Sequence, residues 1–437
     1  MAARPANEMG QRFNPPYLVG AYLAVNAIPD VALLVDGPSC VFAKARLIQG
    51  RHDLASTLLA CDGRHRVHYT GTDVTRITVH DGARVVEALR RVARQPGIEA
   101  VLLGSLPLCS VAGVDYDRLL RDAASDLTVP LLELPGRSLA DDWLGGYSAV
   151  LEALAKEIDL AGGAPRADRV AVIGYLMDRN EGDHRGNLAE LRRMLEALRL
   201  EPTAIWPAGE SLGPLAAVRD AATLIALPHG RAAARVLARR LGVPVIETGL
   251  PLGLAGTRRW LEQVARACDR QAQAEDFIRS ELDEVVPRME WVVEHALVGR
   301  CLAYAGDPHY AVPLRELIAE VGGSIAAMFL GGSASHLAEE ERAALEGVDT
   351  LMFEPLEPAM QEAWRRVEQQ GVDLLVTNTR GLELLQPGGP WIEWGYPSHH
   401  NHVLQDEPFL GFRGALALYN RMTDAIVQGA AGKGGNP

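Results

Sequence analysis

The feature that most constrains this chain is a repeated alternation of extended apolar runs and amphipathic helical patterns along nearly its whole length. VALLVDGPSC (31–40) reads as a buried strand entering a Gly-Pro turn, and EAVLLGSLPLC (99–109) as a second strand that opens into a loop at Gly104. Between them GARVVEALRRVAR (82–94) has helical spacing, with Val85, Val86, Leu89 and Val92 on one face. TVPLLELPG (128–136) predicts a third strand and LADDWLGGYSAVLEALAKEI (139–158) the helix after it. AGGAPRAD (161–168) is a linker, and the order starts again at RVAVIGYL (169–176), followed by the helix LAELRRMLEALRL (188–200) and the strand PTAIWP. It returns at RCLAYAGDP (300–308), VPLRELIAEVG (312–322) and SIAAMFLGG (324–332). The alternation predicts an α/β fold of three Rossmann-like parallel-sheet domains around a central cleft, over residues 1–165, 166–296 and 297–437. Residues 257–296 form a long helical stretch in the second, and the Gly-rich tail 429–437 is expected to be disordered.

Composition narrows the function classes. Apolar residues at 48% and charged residues at 23% exclude a disordered, collagenous or coiled-coil chain. With 43 Lys+Arg against 56 Asp+Glu the formal charge is −13, which disfavours nucleic acid and anionic membranes as partners. No apolar run reaches the roughly 18 residues of a membrane helix, and MAARPANEMGQRFNPP lacks the apolar core of a leader. A cytoplasmic protein is expected.

Cys40, Cys61, Cys109, Cys268 and Cys301 are odd in number in a large leaderless chain, so a disulfide framework is not expected. Cys268 on a helical run and Cys301 at the start of a strand read as small buried side chains. Cys40 and Cys109 each follow a strand in a loop of small residues, and Cys61 sits in LLACDGRHR at another helix-to-loop edge. Loops at the carboxyl ends of neighbouring parallel strands line one crevice, so these thiols read either as iron–sulfur ligands or as inert thiols, and spacing alone does not choose. Three thiolates are one short of the usual four, and the rest of the set falls to Asp36, Asp62 or a partner subunit.

These residues carry a resemblance. DGPSC (36–40) resembles the H-G-x-x-G-C loop of the nitrogenase component-1 superfamily, with Cys61, 21 residues on, near the place of that family's second cysteine and SLPLCSVAGVDYD (105–117) similar to the loop of its third. ARVLARRLGVPVIETGLPLGLAGTRRWLEQVA (234–265), GDPHYAVPLRELIAEVGG (306–323) and WGYPSHHNHVLQDEPFLGFRGALAL (394–418) are similar to the family's second-domain, third-domain and closing patterns. The resemblance implies Cys40, Cys61 and Cys109 as ligands of a [4Fe–4S] or P-cluster-like iron–sulfur cluster. It implies a separate P-loop iron protein that hydrolyses ATP and delivers single electrons, and a homologous component-1-type subunit as partner in an α₂β₂ assembly, or a second copy of this chain. Asp36 stands where the family usually has His, and Ser39 where it has Gly. The stretch LIALPHGRAAARVL (224–237) has no cysteine to hold a catalytic metallocluster, and His229 is its nearest soft ligand. His399, His400, His402 and Trp394 fall where a substrate or cofactor cleft would lie, against the plainer reading of SHHNH as a solvated loop. The chain resembles a β-type subunit or a tetrapyrrole-reducing relative. The activity implied is an ATP-dependent reductase of a tetrapyrrole or small multiply bonded substrate, and the alternative is a scaffold for metallocluster assembly.

There is no G-x-x-x-x-G-K-[ST] loop and no G-x-G-x-x-G at the first strand of a unit, so neither ATP nor NAD is expected to bind this chain itself. EGDHRGN (181–187) reads as a helix N-terminal loop in preference to a polar pocket floor.

Overall fold

A computed structural model describes residues 11–75, 77, 82–136 and 140–433. The first unit runs α1 (Tyr17–Asn26), β1 (Val31–Asp36), α2 (Cys40–Leu47), β2 (Val67–Tyr69), α3 (Ala83–Ala93), β3 (Ala100–Ser105), α4 (Pro107–Ser110), α5 (Tyr116–Ala124), β4 (Leu131–Glu133) and α6 (Trp143–Glu157). The second runs β5 (Arg166–Ile173), α7 (Gly182–Ala197), β6 (Glu201–Trp206), α8 (Leu212–Leu215), β7 (Ala221–Ala226), α9 (Arg231–Leu241), β8 (Val245–Glu247), α10 (Gly253–Cys268) and α11 (Gln271–Ala296). The third runs β9 (Cys301–Gly306), α12 (Ala311–Glu320), β10 (Ser324–Leu330), α13 (Glu339–Ala343), β11 (Thr350–Phe353), α14 (Glu357–Gly371), β12 (Leu374–Thr377), α15 (Thr379–Leu385), β13 (Trp391–Glu393) and α16 (Gly411–Lys433).

Every strand pair in the three sheets is parallel. The continuous apolar runs explain this: all six residues of β1 and all six of β3 are buried, as a strand covered by helices on both faces requires. The helices show the complementary pattern. On α3, Val85, Ala88, Leu89 and Val92 are buried while the basic residues of its last turn, Arg90 and Arg91, turn outward.

Strand orders are β2-β1-β3-β4, β6-β5-β7-β8 and β11-β10-β9-β12-β13. In each sheet the chain winds one way from the first strand and then returns on its other side. The order therefore reverses between β1 and β3, between β5 and β7, and between β9 and β12. Such switch points open a crevice beyond the carboxyl ends of the two strands, because the flanking connections diverge to opposite faces. These crevices hold most of the chemistry-bearing residues described below.

One expectation is corrected. The Gly-rich tail expected to be disordered from residue 429 continues α16 as far as Lys433, and 434–437 lie outside the described residues. α16 packs against α7, α10 and α11, and this long docked helix carries its last turns with it.

The short strand β2 brings a pH dependence. His65 and His68 flank and enter β2, and burial pushes both imidazoles down to about 4. An unfolded chain takes up protons at these positions near 6.5, and the folded chain does not until about 4. The stability they contribute is complete above pH 6.5 and falls as pH drops towards 4, by about 1–3 kcal/mol for His65 and less for half-buried His68. Urea midpoints at pH 7 and pH 4.5 should show the decline, and His65→Gln should reduce it; a midpoint that does not fall would contradict this account.

Candidate functional site

Cys40 begins α2 just beyond the carboxyl end of β1, and Cys109 lies in α4 just beyond that of β3. The two strands are register neighbours, Asp36 opposite Ser105, so both cysteines stand at the switch point of the first sheet. Cys109 is buried and Cys40 exposed. Asp36, fully buried, is the electrostatic centre of this edge. Its carboxylate accepts from the Thr70 hydroxyl (2.6 Å) and the Tyr116 hydroxyl (2.8 Å), and it hydrogen-bonds Cys109. Burial, with the Asp36 charge beside it, pushes the Cys109 thiol up to about 12. The thiol is therefore protonated at neutral pH until a metal takes the proton's place.

Cys61 is not brought to this edge. It sits at the tip of a hairpin in which Leu59 bridges His65 and the Gly63 amide donates to the Ala60 carbonyl. The hairpin enters β2 from its amino end. Arg64 donates to the Pro96 carbonyl (3.2 Å), just ahead of β3, and Arg66 to the Val31 carbonyl at the start of β1. Cys61 and Asp62 thus lie at the amino ends of strands whose carboxyl ends carry Cys40 and Cys109, and a six-residue strand is roughly 20 Å long. Asp62 is exposed and paired with Arg64 at 2.6 Å. At the carboxyl end of β2, the place adjacent to Gly37, stands Thr70, whose Oγ1 accepts the Gly37 amide at 3.1 Å. The first sheet therefore presents two thiols at one edge, not three.

The other two switch points face each other. β7 and β9 each end in a Pro-His turn, Pro228–Gly230 and Pro308–Tyr310, and each leads directly into a helix. His229 Nε2 lies 2.8 Å from Asp307 Oδ2 across the junction, and the rings of His229 and His309 pack at 4.6 Å. Asp307 is fixed in turn, its Oδ1 accepting the His309 amide at 2.8 Å. Burial, reinforced by His229 and His336, holds the His309 imidazole well below its ordinary value, so it is neutral. Glycine makes the approach possible. Gly174, at φ +92° after β5, lies so close to the His229 turn that a Cβ would sit 2.1 Å from the Gly230 nitrogen. Next to this group His336 Nε2 meets Asp142 Oδ1 at 2.9 Å, tying the first domain to the third.

EGDHRGN is the first turn of α7 and is largely buried. His184 bridges the Tyr175 hydroxyl (2.7 Å) and Asp178 (2.6 Å), and His52 lies between the Asp178 carbonyl (3.2 Å) and the Ser398 amide (2.9 Å), linking all three units. Burial alone would lower His184, but Asp178 and Asp183 outweigh it and leave the imidazole above its ordinary value. His402 Nδ1 meets Glu181 at 2.8 Å and lines a cavity of about 410 Å³ with Phe409 and Arg421.

The SHHNH loop is wound around one carboxylate. Glu393 accepts the amides of His399 (3.2 Å), His400 (2.8 Å) and Asn401 (2.7 Å), together with the Ser398 (2.9 Å) and Thr379 hydroxyls. Burial would raise this carboxyl, but these donors outweigh it and hold it below the usual range. The amides point inward, leaving the His400 side chain exposed and that of His399 half-buried. Trp394 is buried against Tyr310 (4.7 Å) and Phe409 (5.6 Å), while Trp391 is exposed. Glu393→Gln turns two of the lone-pair sites into donors facing donors. It should cost about 2–4 kcal/mol, read as a lower urea midpoint, with faster amide exchange confined to 398–401. An unchanged midpoint would remove Glu393 as the organiser of the loop.

Sequence reasoning misses Asp307, His309, His336, His52 and Asp178. The recurrence of Pro-His after a strand, in LPHG and DPHY, is the available signal for His309.

Three parallel α/β units with polar side chains gathered at their switch points define a multidomain Rossmann-like architecture. Comparison with known proteins supports that architecture. The family model described as "Nitrogenase component 1 type Oxidoreductase" matches residues 17–427. The chain belongs to that family. It is 23% identical over 364 residues to the nitrogenase molybdenum-iron protein beta chain of Methanothermobacter marburgensis, covering 75% of this chain and 76% of that one. It is 27% identical over 334 residues to a subunit of the light-independent protochlorophyllide reductase of Methylobacterium radiotolerans, covering 70% of this chain and 58% of that one. The solved structure of nitrogenase Cp1 at pH 6.5 superposes with a TM-score of 0.76 over 98% of this chain and 95% of that one, at 16% identity, a likeness of fold. No helix of the described residues is long and apolar enough to cross a membrane.

Proposed function

We propose that this chain is a component-1-type subunit of a nitrogenase-like reductase in which an iron–sulfur cluster lies at the interface with a homologous subunit. The observation that carries the reading is the pairing of Cys40 and Cys109 at the carboxyl ends of adjacent strands, one thiol buried and one open to a partner. The donor set fits half of a shared cluster and not a self-contained one, since Cys61 stands at the other end of the sheet. Exposed apolar residues on the segments that leave β2 and β3 support an interface: Tyr69 is 40% exposed, Val74 70% and Val111 73%. Cys40 and Cys109 would hold iron as thiolates, and Asp36, Thr70 and Tyr116 would fix the polarity around Cys109. The cluster would supply one-electron relay.

The chain has no phosphate loop, so ATP hydrolysis belongs to a separate P-loop iron protein that delivers the electrons. The substrate is a multiply bonded molecule, a tetrapyrrole or a smaller one, in the cleft where His402 and Phe409 line a cavity of about 410 Å³.

The test is anaerobic co-purification with the homologous component-1 chain, followed by iron and sulfide analysis. About four iron and four acid-labile sulfide per chain pair are expected, with little iron on this chain alone. An iron-free complex, a full complement on the isolated chain, or a cluster passed to an acceptor protein without turnover would each overturn the proposal; the last would mark a scaffold.

A further inference from the structure

The His229–Asp307–His309 group lies apart from the cysteine edge and takes no part in the proposed electron relay. Two imidazole nitrogens and one carboxylate oxygen lie within 4.8 Å of one another, and all three residues are buried. They are held rigidly, because each histidine sits in a Pro-led turn at a strand end and Asp307 is fixed by the His309 amide. His229 Nδ1 and His309 Nδ1, both buried, have no hydrogen-bond partner among the described residues. Leaving a buried polar atom unpaired costs about 1–3 kcal/mol, so an orphaned nitrogen on each ring of a buried three-donor cluster calls for an occupant that accepts nitrogen lone pairs.

A cation does that. The ligand class follows from the donors: imidazole nitrogens with a single carboxylate suit zinc and ferrous iron, whereas magnesium and calcium take oxygen sets. There is also a route in. His309 lines a cavity of about 320 Å³ walled by Trp260, Arg259, Glu316 and Glu341. Three protein ligands leave at least one position for water or an anion from that cavity. The Asp142–His336 pair stands next to the group, the His309 and His336 rings 6.3 Å apart.

We propose that His229, Asp307 and His309 bind a single divalent transition-metal ion of the zinc or ferrous class in the crevice where the second and third sheets meet. The site is independent of the iron–sulfur proposal and stands whether or not Cys40 and Cys109 hold iron.

The test uses the full chain, freed of metal by chelator and titrated with Co²⁺. One equivalent should bind, with visible d–d absorption and no thiolate-to-cobalt charge-transfer band, and Zn²⁺ should displace it. His309→Ala and Asp307→Asn should each weaken Co²⁺ binding at least tenfold, with folding followed by circular dichroism. Should either variant fail to fold, the other variant and the wild-type spectrum still decide. No stoichiometric binding would mean the orphaned nitrogens face only water. A charge-transfer band would place the ion on cysteines, and undiminished binding by a folded variant would place it elsewhere. Each of these results overturns the proposal.

Discussion

Exchanging Cys109 for serine should strip iron from the assembled complex, to below about a tenth of the wild-type content, while exchanging Cys61 for serine should leave it intact. The asymmetry follows from topology. Cys109 lies beyond the carboxyl end of β3, next to Asp36 and one strand from Cys40, whereas Cys61 caps a hairpin at the amino edge of the same sheet. A serine hydroxyl is a far poorer ligand for iron than a thiolate, so the loss is expected to exceed the 10–100-fold typical of perturbing an outer partner of a metal ligand. Cys40→Ser should behave like Cys109→Ser. Circular dichroism should report an unchanged fold in Cys61→Ser, whose side chain is exposed. Iron lost in Cys61→Ser and kept in Cys109→Ser would invert the assignment.

The largest effect on stability is expected at Arg66. Its guanidinium, 6% exposed, donates from Nη1 to the carbonyls of Val25 (2.7 Å), Ile28 (2.9 Å) and Val31 (2.5 Å) and from Nε to that of Thr57 (3.0 Å). Nη2 reaches the Thr57 hydroxyl as well. Burial lowers its affinity for the proton to about 10, still far above neutrality, so it is charged, with Asp30 as an opposing charge. Five acceptors converge there because α1 ends, β1 begins and the Cys61 hairpin returns at one spot. Arg66→Ala removes the donor shared by all five; the Val25 and Ile28 carbonyls keep the amides of Ile28 and Val31, but the other acceptors lose their guanidinium partner in the interior, and the change should cost about 3–5 kcal/mol, a large part of the stability of one domain. Urea unfolding of the purified chain measures it. Arg66→Lys should recover part of the loss, since an ammonium can meet some of the acceptors but not the planar fork. A shift below about 1 kcal/mol for the alanine variant would show the acceptors finding water instead.

How far the sequence reveals this molecule depends on range. β1 and β3 are legible because a strand covered on both faces must be apolar along its length, a local property, and β5 and β10 from the buried apolar runs at their carboxyl ends. α3 is legible from the one-sided spacing of its buried residues. The placement of Cys40 and Cys109 is legible for the same reason, since a loop after a strand in a parallel sheet lies at the carboxyl edge. Cys61 misleads because a separation of 21 residues does not say which end of β2 the chain has reached; the turn at Ala60–Gly63 decides it, after an irregular stretch. EGDHRGN reads as the start of a helix, and so it is, but its burial comes from residues 398–410, more than 200 positions away. His229 stands out for want of a cysteine, while its partner Asp307 is 78 residues further on and is found only when two sheets are set face to face. The SHHNH loop is ordered by Glu393, whose carboxylate the motif does not include.

Iron-edge anomalous diffraction from anaerobically grown crystals of the assembled complex tests the central claim most directly, because it locates metal without reference to activity. The account predicts a compact iron peak within bonding distance of Cys40 and Cys109 at the subunit interface, and none at Cys61. Iron at Cys61, or a complex whose first-sheet carboxyl edge carries no iron at all, would contradict it.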